Sequence, residues 1–130
     1  LILDGHHVPF KTATEIIQAV GDRVLLVTDA MAAAGAGDGN YTIGKLGVTV
    51  QDSVARLESN GALAGSTLTM DRAFLNAINK CGVSVEQAVS ITSTNPATAL
   101  GLKDRGRIAV GMRADLLSYD SSSGSITVIS

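Results

Sequence analysis

Val24-Leu25-Leu26-Val27-Thr28-Asp29-Ala30-Met31 is the stretch on which the fold turns. Four apolar residues in succession, with nothing polar between them, describe a strand buried on both faces, as in parallel sheets and barrels. In α/β folds, chemistry is placed just beyond the carboxyl end of such a strand. That position is Asp29, and the small, flexible run Ala32-Ala33-Ala34-Gly35-Ala36-Gly37 follows it. A carboxylate there stands on a rigid base beside a cleft, although a turn former or helix cap also suits the position.

Upstream, Leu1-Ile2-Leu3 is a second apolar run, and it ends in Asp4-Gly5-His6-His7, which holds both histidines of the chain. Between the two runs, Ala13, Ile16, Ile17 and Val20 recur at helical spacing, with Thr12 or Thr14 as cap and Gly21 as stop. Strand, helix and strand with short connections form a βαβ unit, which requires parallel pairing. Both strands then deliver titratable groups at the same end. In the polar cluster, His7 is the candidate ligand or substrate contact, His6 a structural hydrogen-bonding residue, and Asp4 a brace for the strand end.

Downstream the period changes. Tyr41, Ile43, Val48, Val50, Val54 and Leu57 alternate with polar residues and glycines, which predicts a hairpin or small meander over residues 41–58. Asn60-Gly61-Ala62-Leu63-Ala64-Gly65-Ser66 reads as a loop of small residues. A second helix is predicted over 69–81, with Thr69 as cap, Phe74, Ile78 and Cys81 on one face, and Gly82 as stop. Ser84-Val85-Glu86-Gln87 is a capping box that starts a third helix with Val85, Ala88, Val89 and Thr92 inward. Asn95-Pro96 predicts a fourth helix, with Asn95 as cap and Gly101 at its end. From Arg105 the chain reads as short strands separated by a Ser-rich turn at 121–125.

The 130 residues have room for one ordinary domain, and 45% hydrophobic content excludes a disordered chain. A net charge of −2 gives no electrostatic footprint for nucleic acid or an anionic membrane. No apolar run approaches the roughly 20 residues of a membrane-spanning helix. Cys81 is the only cysteine, which rules out an internal disulfide and fits a reducing compartment. The chain opens inside one apolar run and closes inside another, so we expect a piece of a longer protein.

Asp4-Gly5-His6-His7, Leu26-Val27-Thr28-Asp29-Ala30-Met31, Gly61-Ala62-Leu63-Ala64-Gly65-Ser66 and the stretch from Asn95-Pro96-Ala97 to Ala114-Asp115-Leu116 together resemble the N-acetylglucosamine-6-phosphate deacetylases of the amidohydrolase superfamily. The resemblance covers essentially the whole chain and matches the carboxyl-terminal part of those enzymes. It implies an α/β fold: the last two strands and helices of a metal-dependent (β/α)8 TIM barrel over residues 1–104, with part of a small β-sandwich over 105–130. Residues 41–58 would be an insertion in the barrel, and the helices would lie within 69–101. By the same resemblance Asp29 is the catalytic acid/base and a candidate metal ligand, His7 contacts the substrate, and Leu63, Ala64 and Gly65 line the sugar site. The Leu63–Gly65 loop is equally well read as a tight turn.

The resemblance further implies a divalent metal, zinc or iron, whose main ligands lie outside these residues. It implies an amino-sugar phosphate as substrate and a cytoplasmic homodimeric enzyme. A different amide or cyclic-amide hydrolase of the superfamily, or a non-catalytic folded module, are the alternative expectations. The chemistry accounts for the residue types. Amide hydrolysis needs a carboxylate that takes a proton from the attacking water and returns it to the departing amine. A histidine and backbone N–H groups suit the oxygen-rich sugar phosphate.

Overall fold

In a computed structural model, residues 1–129 are described; Ser130, the end of the expected last strand, lies outside them. Helix α1 spans Phe10–Val20, and strands β1 (Gly39–Ile43), β2 (Leu46–Gln51) and β3 (Val54–Leu57) follow. Helix α2 spans Met70–Cys81, and a longer helical stretch comprises α3 (Val85–Val89), a π-helical turn (Ser90–Thr94) and α4 (Asn95–Ala99). Strands β4 (Leu117–Asp120) and β5 (Ser125–Val128) close the described chain.

The two apolar runs lie side by side, as the βαβ reading requires, but neither forms a regular strand. The Leu1 ammonium donates to Leu25 O at 2.9 Å and Val27 N–H to Leu1 O at 3.0 Å, which is the hydrogen-bond pattern of a parallel pair. A ladder needs repeated pairs, and here one residue is linked. Burial is also one-sided, contrary to expectation: Val24 and Leu26 are 5% and 1% exposed, whereas Val27 is 42% exposed. Among the described residues, helices cover only one face.

On its other edge the Val24–Val27 run is bound by a helix in place of a strand. Asn95 does not cap a separate fourth helix: α4 continues directly from the π-helical turn. The backbone runs on in helical conformation from Ser84's cap to Ala99, and Asn95 N–H donates five residues back to Ser90 O. Pro96 explains the widened turn: it has no N–H, and its ring would crowd the carbonyl four residues earlier in a regular α-helix. The widening releases the Ile91 carbonyl, which accepts from Leu26 N–H at 2.8 Å. The Asn95 side chain is a clamp as well, its amide donating to Val24 O at 2.6 Å and Asp22 O at 2.9 Å. Ala88 and Ile91 face inward while Val85 and Val89 are exposed, correcting the expected face.

Other boundaries follow local chemistry. Gly21 and Gly82 end α1 and α2 at positive φ. Neither Thr12 nor Thr14 caps α1: Pro9 precedes it, and Thr14 Oγ1 donates back to Phe10 O. The meander expected over 41–58 forms over 39–57, with Val48, Val50 and Ala55 buried in a small second cluster with Ala33 and Ala64. The main core joins Leu3, Ile17, Leu26, Phe74 and Ile91. The C-terminal hairpin reaches that core through Tyr119 and Ile126, with the Tyr119 ring edge-on to Phe74 at 5.1 Å between centroids. Residues 105–116, expected as strand, contain none.

Candidate active-site edge

Parallel pairing of Leu1 with the run at Leu26 carries both segments to the same end, where Asp4–His7 and Thr28–Met31 emerge. Asp4-Gly5-His6-His7 forms one hydrogen-bonded unit. Asp4 Oδ1 accepts from the backbone N–H groups of His6 and His7, both at 2.9 Å. Asp4 Oδ2 lies 2.7 Å from His7 Nδ1. Gly5 permits this reversal: its φ is +83°, and a Cβ there would meet the Phe10 ring at 2.6 Å. Burial acts to raise the Asp4 carboxyl pKa, but the hydrogen bonds from His7 and His6 outweigh it and hold the group below its ordinary value. The ring of His6 is exposed, so its structural bond comes from its backbone rather than its imidazole.

Asp29 sits at φ +52°, a left-handed conformation that Asp tolerates better than most residues. Its residue is exposed, while its backbone is held from below by Ser66. Ser66 N–H donates to Asp29 O at 2.8 Å, and Met31 N–H donates to Ser66 O at 2.9 Å, a parallel bridge. Ser66 Oγ donates to Thr28 O at 2.6 Å and accepts from Leu68 N–H at 2.8 Å. Ser66 is 3% exposed and is the one buried polar residue among those described.

The predicted Leu63-Ala64-Gly65 loop leads directly into this clamp. Ala64 is buried and belongs to the meander core. Gly65 has φ +65°, and a Cβ on it would come 3.2 Å from Asp29 O and 3.3 Å from Met31 Cβ. Gly65 and Ser66 thus seat the Asp29 backbone. Sequence reasoning missed Ser66 and Asn95 in these roles; a serine after a glycine and an asparagine before a proline look locally like turn and cap.

Among the described residues, no three His, Cys, Asp or Glu side chains gather to hold a metal ion. The described residues by themselves therefore do not make a metal site. A cleft of about 400 Å³ between α2, the π-helical turn and the C-terminal hairpin is lined by neither Asp29 nor His7. Its lining includes Arg105 and Arg113, which are paired with Asp104 and Asp115. No described helix is long and apolar enough to cross a membrane.

Comparison with known proteins places this geometry. The chain is 42% identical to the N-acetylglucosamine-6-phosphate deacetylase of Thermotoga maritima, with a TM-score of 0.87 over 95% of the chain. It is 40% identical, with a TM-score of 0.86, to a variant of the Mycobacterium smegmatis deacetylase solved in complex with N-acetyl-D-glucosamine-6-phosphate. An N-acetylgalactosamine-6-phosphate deacetylase of Escherichia coli O157:H7 is 39% identical over 93% of the chain. The chain spans about a third of the length of each, 34%, 34% and 32%. The α/β arrangement is therefore part of the barrel fold of these enzymes. With the Amidohydrolase family model matching residues 10–128, the chain belongs to the amidohydrolase family.

Proposed function

We propose that this chain supplies the catalytic carboxylate and one substrate contact of a hydrolase that removes the acetyl group from N-acetylglucosamine 6-phosphate, giving glucosamine 6-phosphate and acetate. The observation that carries the reading is the pair of parallel segments ending in the Asp4–His7 unit and in Asp29. Asp29 is exposed at its side chain and anchored at its backbone by Ser66. In this reading Asp29 accepts the proton of the attacking water and returns it to the departing amine. His7 hydrogen-bonds the substrate, and Leu63, Ala64 and Gly65 form one wall of the sugar site.

A divalent metal, zinc or iron, would supply Lewis acidity to such a reaction. Its main ligands would come from outside this chain, since the described residues lack the necessary cluster. We assign residues 1–104 to the barrel and 105–130 to a β-sandwich, supported by β4 and β5 pairing only with each other among the described strands. A cytoplasmic homodimer completes the proposal. It rests on family resemblance and on the lone Cys81, which is buried and free.

Curated relatives named for the galactosamine epimer match as well, 39% identical against 38% for a glucosamine-named one from Vibrio furnissii over the same 93% of the chain, so the 4-epimer is the second reading. Acetate release from both sugar phosphates separates them, measured with this chain alone and within a polypeptide of the relatives' full length. We expect deacetylation only in the longer polypeptide, faster with the glucosamine derivative. Faster turnover of the galactosamine derivative would select the epimer, and no acetate from either would overturn the deacetylase assignment.

A further inference from the structure

Asp4 does more than brace a turn. One of its oxygens is occupied by two backbone N–H groups, and the other faces His7 Nδ1 at 2.7 Å. An ionised carboxylate only accepts hydrogen bonds, so the neutral His7 ring must carry its proton on Nδ1. The ring's other nitrogen then presents a lone pair. No buried side-chain nitrogen or oxygen among the described residues lacks a partner, and Nε2 bonds to none of them. Nε2 therefore opens to solvent, consistent with a His7 side chain that is 20% exposed.

We propose that Asp4 is a positioning residue that locks His7 as the Nδ1–H tautomer, so that Nε2 accepts a hydrogen bond from a hydroxyl or amide N–H of the substrate. This rests on the deacetylase reading of the site and narrows it. A phosphate dianion offers no proton to a lone pair, so His7 reads the sugar ring or its acetamide and leaves the phosphate to other groups. A carboxylate that accepts from one ring nitrogen and thereby orients a functional imidazole is a recurrent arrangement in proteins.

Asp4→Asn tests it. The amide oxygen can keep the two backbone bonds, which turns its NH2 toward Nδ1. Two donors cannot face each other, so the ring must move its proton to Nε2. Ring ¹⁵N shifts of the full chain report the protonated nitrogen directly, with His6→Gln isolating the His7 signals and amide dispersion verifying the fold. We expect Nδ1–H in the unsubstituted chain and Nε2–H in Asp4→Asn. In the full-length polypeptide, Asp4→Asn should raise KM about 10-fold with a smaller change in kcat, the scale of one misdirected hydrogen bond.

A His7 ring with the same protonated nitrogen in both proteins overturns the proposal, whatever the kinetics. A flipped tautomer with unchanged KM overturns the substrate contact and leaves the Asp29 assignment standing. Loss of kcat in Asp29→Asn with an unflipped His7 would separate the two in the opposite sense.

Discussion

The edge bearing Asp29 and the segment from Gly101 to Ile129 contrast in how their apolar residues are used. At the edge, Leu3 and Leu26 are 0% and 1% exposed, and the turns above them are held by side chains bonding to backbone. In the C-terminal segment, Ile108 and Val110 are 88% and 107% exposed, and its two ion pairs join neighbours at the surface. Hydrophobic residues of the same kinds are abundant in both. What differs is whether the rest of the described chain packs on them: Leu3 and Leu26 belong to the main core, whereas Ile108 and Val110 do not. Surface ion pairs do little in place of that packing.

The contrast is most sharply broken by removing core volume beneath the site. Leu26→Ala should cost about 2–5 kcal/mol, as buried leucine truncations do. Denaturant unfolding of the chain checks it, and a loss below about 1 kcal/mol would mean that the edge is not tightly packed. Next comes Ser66→Ala, which strips partners from Thr28 O and Leu68 N–H. It should cost about 1–3 kcal/mol by the same unfolding assay. It should also loosen Asp29, seen as weakened amide protection at Ser66 and Met31.

How much of this was legible follows the same line. The Asp4–His7 unit, Gly21, Gly82, Ser84 and the 39–57 meander could be read from local chemistry, because each depends on residues a few positions apart. The bonds made by Asn95 to Asp22 and Val24 and by Ser66 to Thr28 cross 38–73 positions and leave no local signature. The Ile108–Val110 stretch has β-propensity yet forms no strand, because that propensity expresses itself only where a neighbouring strand pairs with it. Val27 is 42% exposed where burial is expected, because a four-residue apolar run does not reveal how many of its faces these residues themselves cover.

A smaller effect distinguishes the two regions by pH. Burial opposes the lowering at Asp4, but hydrogen bonds from His7 and His6 outweigh it; hydrogen bonds from Ser122 and Ser123 bring Asp120 down to about 2. Groups held lower when folded stabilise the fold above their ordinary value of 3.8, and that contribution fades as pH falls through the folded value. Acid titration of the His7 and Ser122 amide shifts should therefore give midpoints below 3.8, with Ser122 near 2. A midpoint at or above 3.8 for either would contradict the hydrogen bonding described. Smallest of all is Val110→Ser in the exposed segment, expected to change unfolding free energy by no more than about 0.5 kcal/mol.

The central claim is that the clamped edge exists to present Asp29 to a substrate. The steady-state kcat of Asp29→Asn, measured with N-acetylglucosamine 6-phosphate in a polypeptide of the relatives' full length, tests this most directly. The substitution keeps the size of the side chain and removes its capacity to take a proton. We predict a fall in kcat of about 10²–10⁴-fold with the unfolding midpoint little changed. A kcat within a few-fold of the unsubstituted enzyme would contradict the account.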